Sequence, residues 1–391
     1  MRTGVEALLA ERARDPYGLQ GRALGLVQHP ASVTADLRPT VEALLAAGFD
    51  VRALFGPQHG ARGEKQDNMV ESAPFVDRRT GLPVHSLYGE VRKPTADMLR
   101  GLDALLFDLQ DVGVRVYTFV WTMALAMEAC GELGVRFVVL DRPNPIGGVK
   151  REGAVLREEM RSFVGLHPVP LRHGLTAGEL ALWLREERGV RCELEVVPCE
   201  GWRRGMLWEE TGLPWVLPSP NLPTPGSCAV YPGMVLLEGT NLSEGRGTTR
   251  PFELFGAPFL DPWALAERLE GELGPGVRLR PCWFEPTFQK HAGALCGGGQ
   301  LHVTDARAFE PVRAAVAILR AACDLAPEAF AWREPPYEYE EEKMPIDLLW
   351  GSERLRAAID AGLDAERILA ETETERADFE RRVGPCLLYA D

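Results

Sequence analysis

Residues 104–118 read ALLFDLQDVGVRVYT, and this stretch decides the fold class of the chain. It opens with an apolar run and continues with polar residues until a helical pattern starts near Tyr117. A short apolar run of this kind is typical of a buried strand in a parallel sheet. Ligands of open α/β sheets bind outside the carboxyl ends of such strands, so Asp108, Asp111, Arg115 and Tyr117 are candidates for function. The structural alternative is that Asp108 caps a turn and Arg115 neutralises its charge.

Apolar runs and helical patterns alternate on both sides of this stretch. The predicted strands are residues 23–29, 51–55, 83–88, 104–109, 136–140 and 194–198. Strands that alternate with helices at this spacing imply right-handed crossovers. We therefore predict an α/β fold with a Rossmann-like, mostly parallel sheet and helices on both faces.

The pattern changes near residue 261. The segments that follow predict a helix to about residue 273, strands at 277–284 and 300–304, and a helix at 311–322. We predict a Rossmann-like catalytic domain in residues 1–255 and a smaller α+β auxiliary domain in residues 256–391. Residues 214–249 are predicted to be a long functional loop, and the acidic segment 337–343 a solvated connector.

Composition narrows the class of partner. The chain has 391 residues, a formal charge of −14 and a pI of about 5.2, so nucleic acid and anionic membranes would be repelled. A neutral or weakly charged small-molecule substrate fits this negative charge better than a polyanionic partner does. The eight cysteines are scattered, and neither a secretory apolar region nor a stretch of about 18 apolar residues occurs. These features predict reduced thiols and a cytoplasmic location. They do not predict the oligomeric state.

Three further segments carry clustered polar groups. They are Gln58, His59 and Glu64 after the second strand, Asp141, Arg142 and Asn144 after strand 136–140, and Asn241, Glu244, Arg246 and Arg250 in residues 241–251. Because the carboxyl ends of parallel strands meet at one edge, we expect these residues to line one cleft. Carboxylates, amides and arginines suit a sugar site, in which one acid protonates the leaving oxygen. No glycine-rich phosphate motif occurs, so no cofactor is predicted.

Metal binding has little support in the sequence. The histidines form neither a His-x-His nor a His-Glu-x-x-His pair. We predict no metal site, although a metal-dependent hydrolase built on His59 and the aspartates stays an alternative.

Several long motifs occur in one order along the chain. They are FGPQHG (55–60), SLYG (86–89), FDLQDVGVRVYT (107–118), DRPNP (141–145), PSPN (218–221) and residues 239–251. Across nearly its whole length the sequence resembles the bacterial exo-β-N-acetylmuramidase family of peptidoglycan turnover. The resemblance implies a Rossmann-like amino-terminal domain without a nucleotide cofactor, a smaller carboxyl-terminal domain, and a cleft between them. That cleft would remove terminal N-acetylmuramic acid from muropeptide fragments.

The sequence departs from the family pattern at one position. The resemblance implies a catalytic Glu in Pro-Glu-His-Gly, and this chain has Gln58 there. An amide cannot donate a proton as a general acid. Either a nearby carboxylate (Glu64, Asp67 or Glu71) has taken over the function, or the protein hydrolyses poorly, or its substrate differs. A non-catalytic sugar- or nucleotide-binding protein on the same fold is the competing interpretation.

The sequence thus leads to two sets of predicted site residues. The predicted catalytic carboxylates are Glu64 or Glu71 as the acid, with Asp111 or Glu244 as the second. The predicted substrate-binding residues are Gln58, His59, Asp108, Arg115, Tyr117, Asp141, Arg142, Asn144, Asn221, Asn241, Arg246 and Arg250. Among them, Arg115, Arg246 or Arg250 is expected to bind the lactyl carboxylate of a muramic acid, because arginine binds carboxylates well.

Overall fold

The computed structural model describes residues 1–66 and 71–391. Its strands are β1 (Ala23–Gln28), β2 (Asp50–Gly56), β3 (Phe75–Val76), β4 (Pro83–Ser86), β5 (Ala104–Asp108), β6 (Arg136–Leu140), β7 (Glu152–Val155), β8 (Pro170–Arg172), β9 (Leu194–Val197), β10 (Leu254–Ala257), β11 (Val277–Phe284) and β12 (Cys296–Val303). Its α-helices are α1 (Gly4–Ala10), α2 (Thr40–Ala46), α3 (Ala96–Leu99), α4 (Phe119–Leu133), α5 (Ala177–Arg188), α6 (Trp208–Thr211), α7 (Pro225–Met234), α8 (Pro262–Arg268), α9 (Pro311–Leu325), α10 (Pro345–Trp350), α11 (Arg354–Asp360), α12 (Ala365–Ala370) and α13 (Glu373–Val383). Three short 3₁₀ segments are Glu158–Met160, Val235–Gly239 and Gly384–Cys386.

The central sheet has the strand order β3-β4-β2-β1-β5-β6-β9 in the described residues. Every neighbouring pair is parallel except the edge pair β3 and β4. The predicted mostly parallel sheet is confirmed. The chain order reverses between β1 and β5, and a crevice at the carboxyl ends of strands is expected at such a switch point.

The two faces of the sheet carry separate cores. Leu105 and Phe107 of β5 belong to a large core that includes α4, whereas Leu106 belongs to a smaller core with α1 and α2. Alternate residues of a strand point to opposite faces, so helices on both faces bury the whole strand. This explains why β5 is continuously apolar until Asp108.

A smaller antiparallel sheet forms in the carboxyl-terminal part, with the order β10-β12-β11. β12 starts at Cys296, four residues before the predicted strand, because its glycines admit close backbone contact. A Cβ on Gly298 would lie 1.9 Å from the carbonyl oxygen of Phe255. The domain boundary predicted between residues 255 and 256 stays a prediction, and β10 spans it.

Other predicted elements differ in detail. In the sequence, Thr176 and Glu179 have the spacing of a capping box, which predicts a helix to Arg188. Helix α5 confirms this prediction, and the Thr176 hydroxyl accepts a hydrogen bond from the Glu179 backbone amide at 3.2 Å. The prediction of one long loop at 214–249 is wrong, because α7 and a 3₁₀ segment lie inside it. The Pro-rich composition concealed α7, which tolerates Pro225 in its first turn and also contains Pro232. Among residues 1–66 and 71–391, no helix combines the length and apolarity needed to cross a membrane.

Candidate active site

A small cavity lies beyond the carboxyl ends of β2 and β5. Its polar lining includes Gln58, His59, Tyr117, Glu238, Arg246 and Glu338. Gln58 and His59 follow β2, and Tyr117 follows β5, so two of the three polar segments that were predicted at strand ends contribute to the cavity. Glu238 comes from the 3₁₀ segment Val235–Gly239, Arg246 from the loop after it, and Glu338 from a turn far along the chain. The cavity volume is about 20 Å³, which is room for a water molecule, so a sugar ring can enter only if lining side chains move.

Gln58 is buried and fixed by three neighbours. Its amide oxygen accepts a hydrogen bond from the Thr118 hydroxyl at 2.5 Å. Its amide nitrogen donates to the Tyr88 hydroxyl at 3.2 Å and lies 3.5 Å from Glu338 Oε1. The position that the family resemblance assigns to an acid therefore directs an amide at another carboxyl group.

Glu338 is 3 % exposed and accepts a hydrogen bond from the Tyr88 hydroxyl at 2.9 Å. Burial raises the pKa of Glu338 to about 7. The Tyr88 hydrogen bond opposes this rise, and the negative charge of Glu238 adds to it. The prediction that residues 337–343 form a solvated connector is wrong for Tyr337 and Glu338, both of which are buried.

A tight turn holds Glu338 in the cavity. Tyr337 and Glu340 exchange two backbone hydrogen bonds of 2.9 Å each, and the two residues between them have positive φ, 47° for Glu338 and 68° for Tyr339. Two successive left-handed residues define a type I′ turn, which normally carries Asn or Gly. Bulky residues there are strained. Tyr339 gains a compensating contact, since the Arg92 guanidinium lies 4.0 Å from its ring centre.

An ion-pair network borders the same cavity. Arg246 is buried and pairs with Glu238 at 2.8 Å and Glu244 at 3.3 Å, and Lys290 pairs with Glu244 at 2.9 Å. The Tyr337 hydroxyl donates to Glu238 at 2.8 Å. Burial lowers the pKa of Arg246, but the two carboxylates outweigh burial and raise the pKa above its usual value. Arg246 Nη1 has no hydrogen-bond partner among the described residues, so it can donate to a ligand.

His59 is neutral at neutral pH. Burial lowers the pKa of His59 to about 4, although its contact with the Lys65 carbonyl opposes this. Nδ1 lies 2.9 Å from that carbonyl oxygen. Since a carbonyl only accepts, Nδ1 carries the proton and Nε2 is an acceptor. The histidine thus offers an acceptor to a hydroxyl group.

Tyr117 and three predicted residues near the sheet edge have partners within the protein. The Tyr117 hydroxyl donates to the Pro218 carbonyl at 2.5 Å. Asp108 and Arg142 form a buried ion pair of 2.6 Å. Asp141 accepts a hydrogen bond from the Gly178 amide at 2.8 Å, and burial raises the pKa of Asp141 to about 6. Asp108, Arg142 and Asp141 thus lie outside the cavity lining and tie the sheet edge to neighbouring segments.

The side chains of Arg115 and three asparagines bind backbone groups. Arg115 is fully buried and donates to the carbonyls of Ala154, Val169 and Leu349 at 2.7–2.8 Å. Burial lowers the pKa of Arg115 to about 9. The asparagine amides also donate to carbonyl oxygens, at 2.9 Å for Asn144 to Leu175, 2.9 Å for Asn221 to Gln66 and 2.7 Å for Asn241 to Ala329.

Arg250 and the four predicted catalytic carboxylates lie outside the cavity lining. The Arg250 side chain is 51 % exposed and lies 3.4 Å from Glu253. Asp111 is buried, accepts a hydrogen bond from the Gly113 amide at 2.8 Å and lies 3.3 Å from His173. Glu244 is buried and pairs with Arg246 at 3.3 Å, whereas Glu64 and Glu71 are exposed. Asp67 falls outside the described residues.

Sequence reasoning missed Glu238, Tyr337 and Glu338 as site residues. Glu238 follows the apolar run MVLL, and a carboxylate beside such a run was a usable signal of burial. Glu338 stands between two tyrosines in an acidic segment, and that aromatic flanking was a weaker signal. Among residues 1–66 and 71–391, no three His, Cys, Asp or Glu side chains are grouped as metal ligands.

Known proteins with similar sequences match this chain over its whole length. Family models described as exo-β-N-acetylmuramidase NamZ, N-terminal and C-terminal, match residues 24–226 and 229–389. The peptidoglycan β-N-acetylmuramidase NamZ of Bacillus subtilis (strain 168) is 44 % identical over 391 residues, which are 100 % of this chain and 91 % of that protein.

Solved structures of two similar proteins also match this chain over nearly its whole length. A DUF1343 family protein of Bacteroides fragilis NCTC 9343 superposes with a TM-score of 0.88 at 34 % identity, covering 99 % of this chain and 98 % of its own. A second one superposes with a TM-score of 0.76 at 28 % identity, covering 100 % and 99 %. The cavity combines Gln58 from the first matched region with Glu238 and Glu338 from the second. The chain belongs to the exo-β-N-acetylmuramidase NamZ family.

Proposed function

We propose that this protein is a glycoside hydrolase that releases terminal N-acetylmuramic acid from peptidoglycan-derived fragments, and that the cavity is its active site. The observation that carries the proposal is the presence of two carboxyl groups in one buried cavity, in different environments. Glu338 contacts neutral groups, whereas Glu238 is paired with Arg246. Such a contrast separates an acid role from a charge-stabilising role in glycosidases.

The remaining groups of the cavity suit a sugar. The Glu238 carboxylate can stabilise positive charge that develops at the anomeric carbon, and His59 Nε2 and the Gln58 amide can bind hydroxyl or acetamido groups. The acetamido group of the substrate can itself act as nucleophile, so a second protein carboxylate need not form a covalent bond.

The test uses wild-type protein and the disaccharide of N-acetylmuramic acid β-linked to N-acetylglucosamine. We expect release of free N-acetylmuramic acid, detected by chromatography. Binding without release would instead support the non-catalytic interpretation. Activity that is lost on chelation and restored by added metal would support the metal-dependent hydrolase.

Arg246 is the best placed of the three candidate arginines to bind the lactyl carboxylate. It lines the cavity and has an unpartnered nitrogen among the described residues, whereas Arg115 is committed to three carbonyls and Arg250 is half exposed. A charge-assisted hydrogen bond contributes about 1.5–3 kcal/mol. We therefore expect kcat/KM to be about 10- to 100-fold higher for 4-nitrophenyl β-N-acetylmuramide than for the matching glucosaminide.

Two arginine variants test this assignment. Arg246→Lys should reduce the preference for the muramide, because lysine lacks the planar fork. The matched control Arg250→Lys lies on the same loop and should retain the wild-type preference. Equal turnover of both substrates by the wild-type protein would refute the assignment.

We also propose a cytoplasmic role in the salvage of imported wall fragments. All cysteines are unpaired in the described residues, which fits a reducing compartment. Cell fractionation tests this proposal, and recovery of the protein from the medium would contradict it.

A further inference from the structure

We propose that Glu338 is the catalytic acid of this enzyme and supplies the proton that Gln58 cannot. This inference rests on the proposed hydrolase function. It concerns which residue protonates the leaving oxygen, whereas the proposed function concerns whether the glycosidic bond is cleaved at all.

The first support is position. Glu338 Oε1 lies 3.5 Å from the Gln58 amide nitrogen, although the two residues are 280 positions apart in the chain. Both line the same cavity, and the Tyr88 hydroxyl contacts both. A proton carried by Glu338 therefore lies within one hydrogen-bond length of the place that a carboxyl at position 58 would occupy.

The second support is backbone strain. Among the described residues, eight non-glycine residues have positive φ, and three of them line this cavity: His59 at 70°, Phe252 at 65° and Glu338 at 47°. Strained residues persist only where the surrounding structure holds them, and they cluster at active sites. In a solvated connector, no surrounding contacts would offset the cost of a left-handed conformation at a glutamate.

The third support is the set of groups that face Glu338. Neutral partners dominate its immediate contacts, namely the Gln58 amide and the Tyr88 hydroxyl. Charged groups act from further away, with Glu238 favouring the protonated form and Arg92 and Arg246 the ionised form. The remaining titratable groups of the lining are His59, Tyr117, Tyr231 and Tyr337. Burial outweighs the two arginines, so a large fraction of Glu338 is protonated near neutral pH.

The proposed step conserves protons and electron pairs. The bond between C1 of the muramic acid and the glycosidic oxygen breaks, and its electron pair stays on that oxygen. Glu338 transfers its proton to the same oxygen, which leaves as a neutral hydroxyl group. Water adds its hydroxyl to C1, and the second proton of that water restores the Glu338 carboxyl group directly or through solvent.

The acids predicted from the sequence provide the alternative assignment. Glu64 and Glu71 are exposed and lie outside the cavity lining, and the side chain of Glu64 is 4.0 Å from Lys65. They do not share the burial that distinguishes Glu338. Glu64→Gln and Glu71→Gln therefore serve as comparison variants, and a loss of activity in either of them, with full activity in Glu338→Gln, would overturn the proposal.

The deciding experiment compares Glu338→Gln with Glu341→Gln, an exposed glutamate of the same segment. For the disaccharide, whose leaving group needs a proton, we expect Glu338→Gln to lower kcat/KM by about 10²–10⁴-fold. For 4-nitrophenyl β-N-acetylmuramide, whose leaving group departs as an anion, we expect a loss of less than tenfold. Glu341→Gln should retain wild-type rates on both substrates.

This comparison separates catalysis from folding. Turnover of the nitrophenyl substrate requires a folded active site, so an equal loss on both substrates would mark Glu338 as structural and overturn the proposal. Wild-type rates on both would also overturn it. The swap variant Gln58→Glu/Glu338→Gln should recover at least tenfold in disaccharide turnover over Glu338→Gln. If the wild-type protein cleaves neither substrate, the proposed function itself fails, which is a distinct result.

Discussion

Replacement of Arg246 by Met is expected to lower the free energy of unfolding by about 3–5 kcal/mol at neutral pH. Arg246 is buried between Glu238 and Glu244, at 2.8 Å and 3.3 Å. The variant keeps much of the side-chain volume but removes the positive charge, so two buried carboxylates lose their shared partner. Lys290 still pairs with Glu244 at 2.9 Å. Urea unfolding followed by fluorescence measures the change.

The pH dependence of the Arg246→Met effect identifies its origin. Burial raises the pKa of Glu244, but Lys290 and Arg246 outweigh burial and hold this pKa below its usual value. Loss of the guanidinium therefore raises the pKa of Glu244, and protonation at low pH removes its charge. The destabilisation should therefore be smaller at pH 4.5 than at pH 7. Arg250→Met is the matched control, because its half-exposed ion pair with Glu253 contributes at most about 1 kcal/mol. A loss in Arg246→Met no larger than in this control would contradict the prediction.

Glu338→Gln is expected to raise the free energy of unfolding above pH 7, even though it lowers activity. The pKa of Glu338 is raised by burial from its usual value of 4.5 to about 7. Below pH 4.5 the carboxyl is protonated in the folded and unfolded states, so it makes no differential contribution. Between pH 4.5 and 7 the folded state binds the proton more tightly, so wild-type stability falls as the pH rises.

The full effect of this pKa shift is about 3 kcal/mol above pH 7. Glutamine does not titrate, so the variant avoids this loss and should exceed the wild type by up to about that amount at pH 8. The two proteins should differ much less at pH 4.5. Unfolding curves at both pH values measure the change, with Glu341→Gln as control. A difference between variant and wild type that does not depend on pH would rule out a buried, titrating Glu338.

A gain in stability together with a loss of activity would be informative about selection. Most buried substitutions destabilise a protein, and the exceptions concentrate where function requires an unfavourable group. Glu338 combines burial, a left-handed backbone and a nearby carboxylate. Each of these features costs free energy. Their combination at one residue therefore indicates that the carboxyl group is retained for catalysis.

Local pattern was sufficient to predict six of the seven strands that the described residues form in the central sheet, but not the two-residue edge strand β3. Because β5 and β6 are buried on both faces, they are apolar throughout, and they end where polar residues begin. Parallel topology then placed Gln58, His59 and Tyr117 near one edge. These inferences depend on periodicity within about ten residues, which the sequence displays directly.

The two carboxyl groups of the cavity, Glu238 and Glu338, could not be predicted from local pattern. Glu338 enters the cavity through a turn that is 280 residues distant from Gln58 along the chain, and its segment has the composition of a solvated connector. Its burial depends on tertiary packing of Tyr337 and on the Arg92 contact with Tyr339. Likewise, α7 contains two prolines, so composition alone favoured a loop.

The buried guanidinium of Arg115 bears on how this architecture could evolve. Two of its acceptors, the carbonyls of Ala154 and Val169, lie in the region matched by the N-terminal family model, and the third, Leu349, lies in the region matched by the C-terminal one. A cation without its third acceptor would be buried at a high cost. The two halves therefore cannot be shuffled as independent modules, and any recombined gene would have to inherit both sides of this contact together.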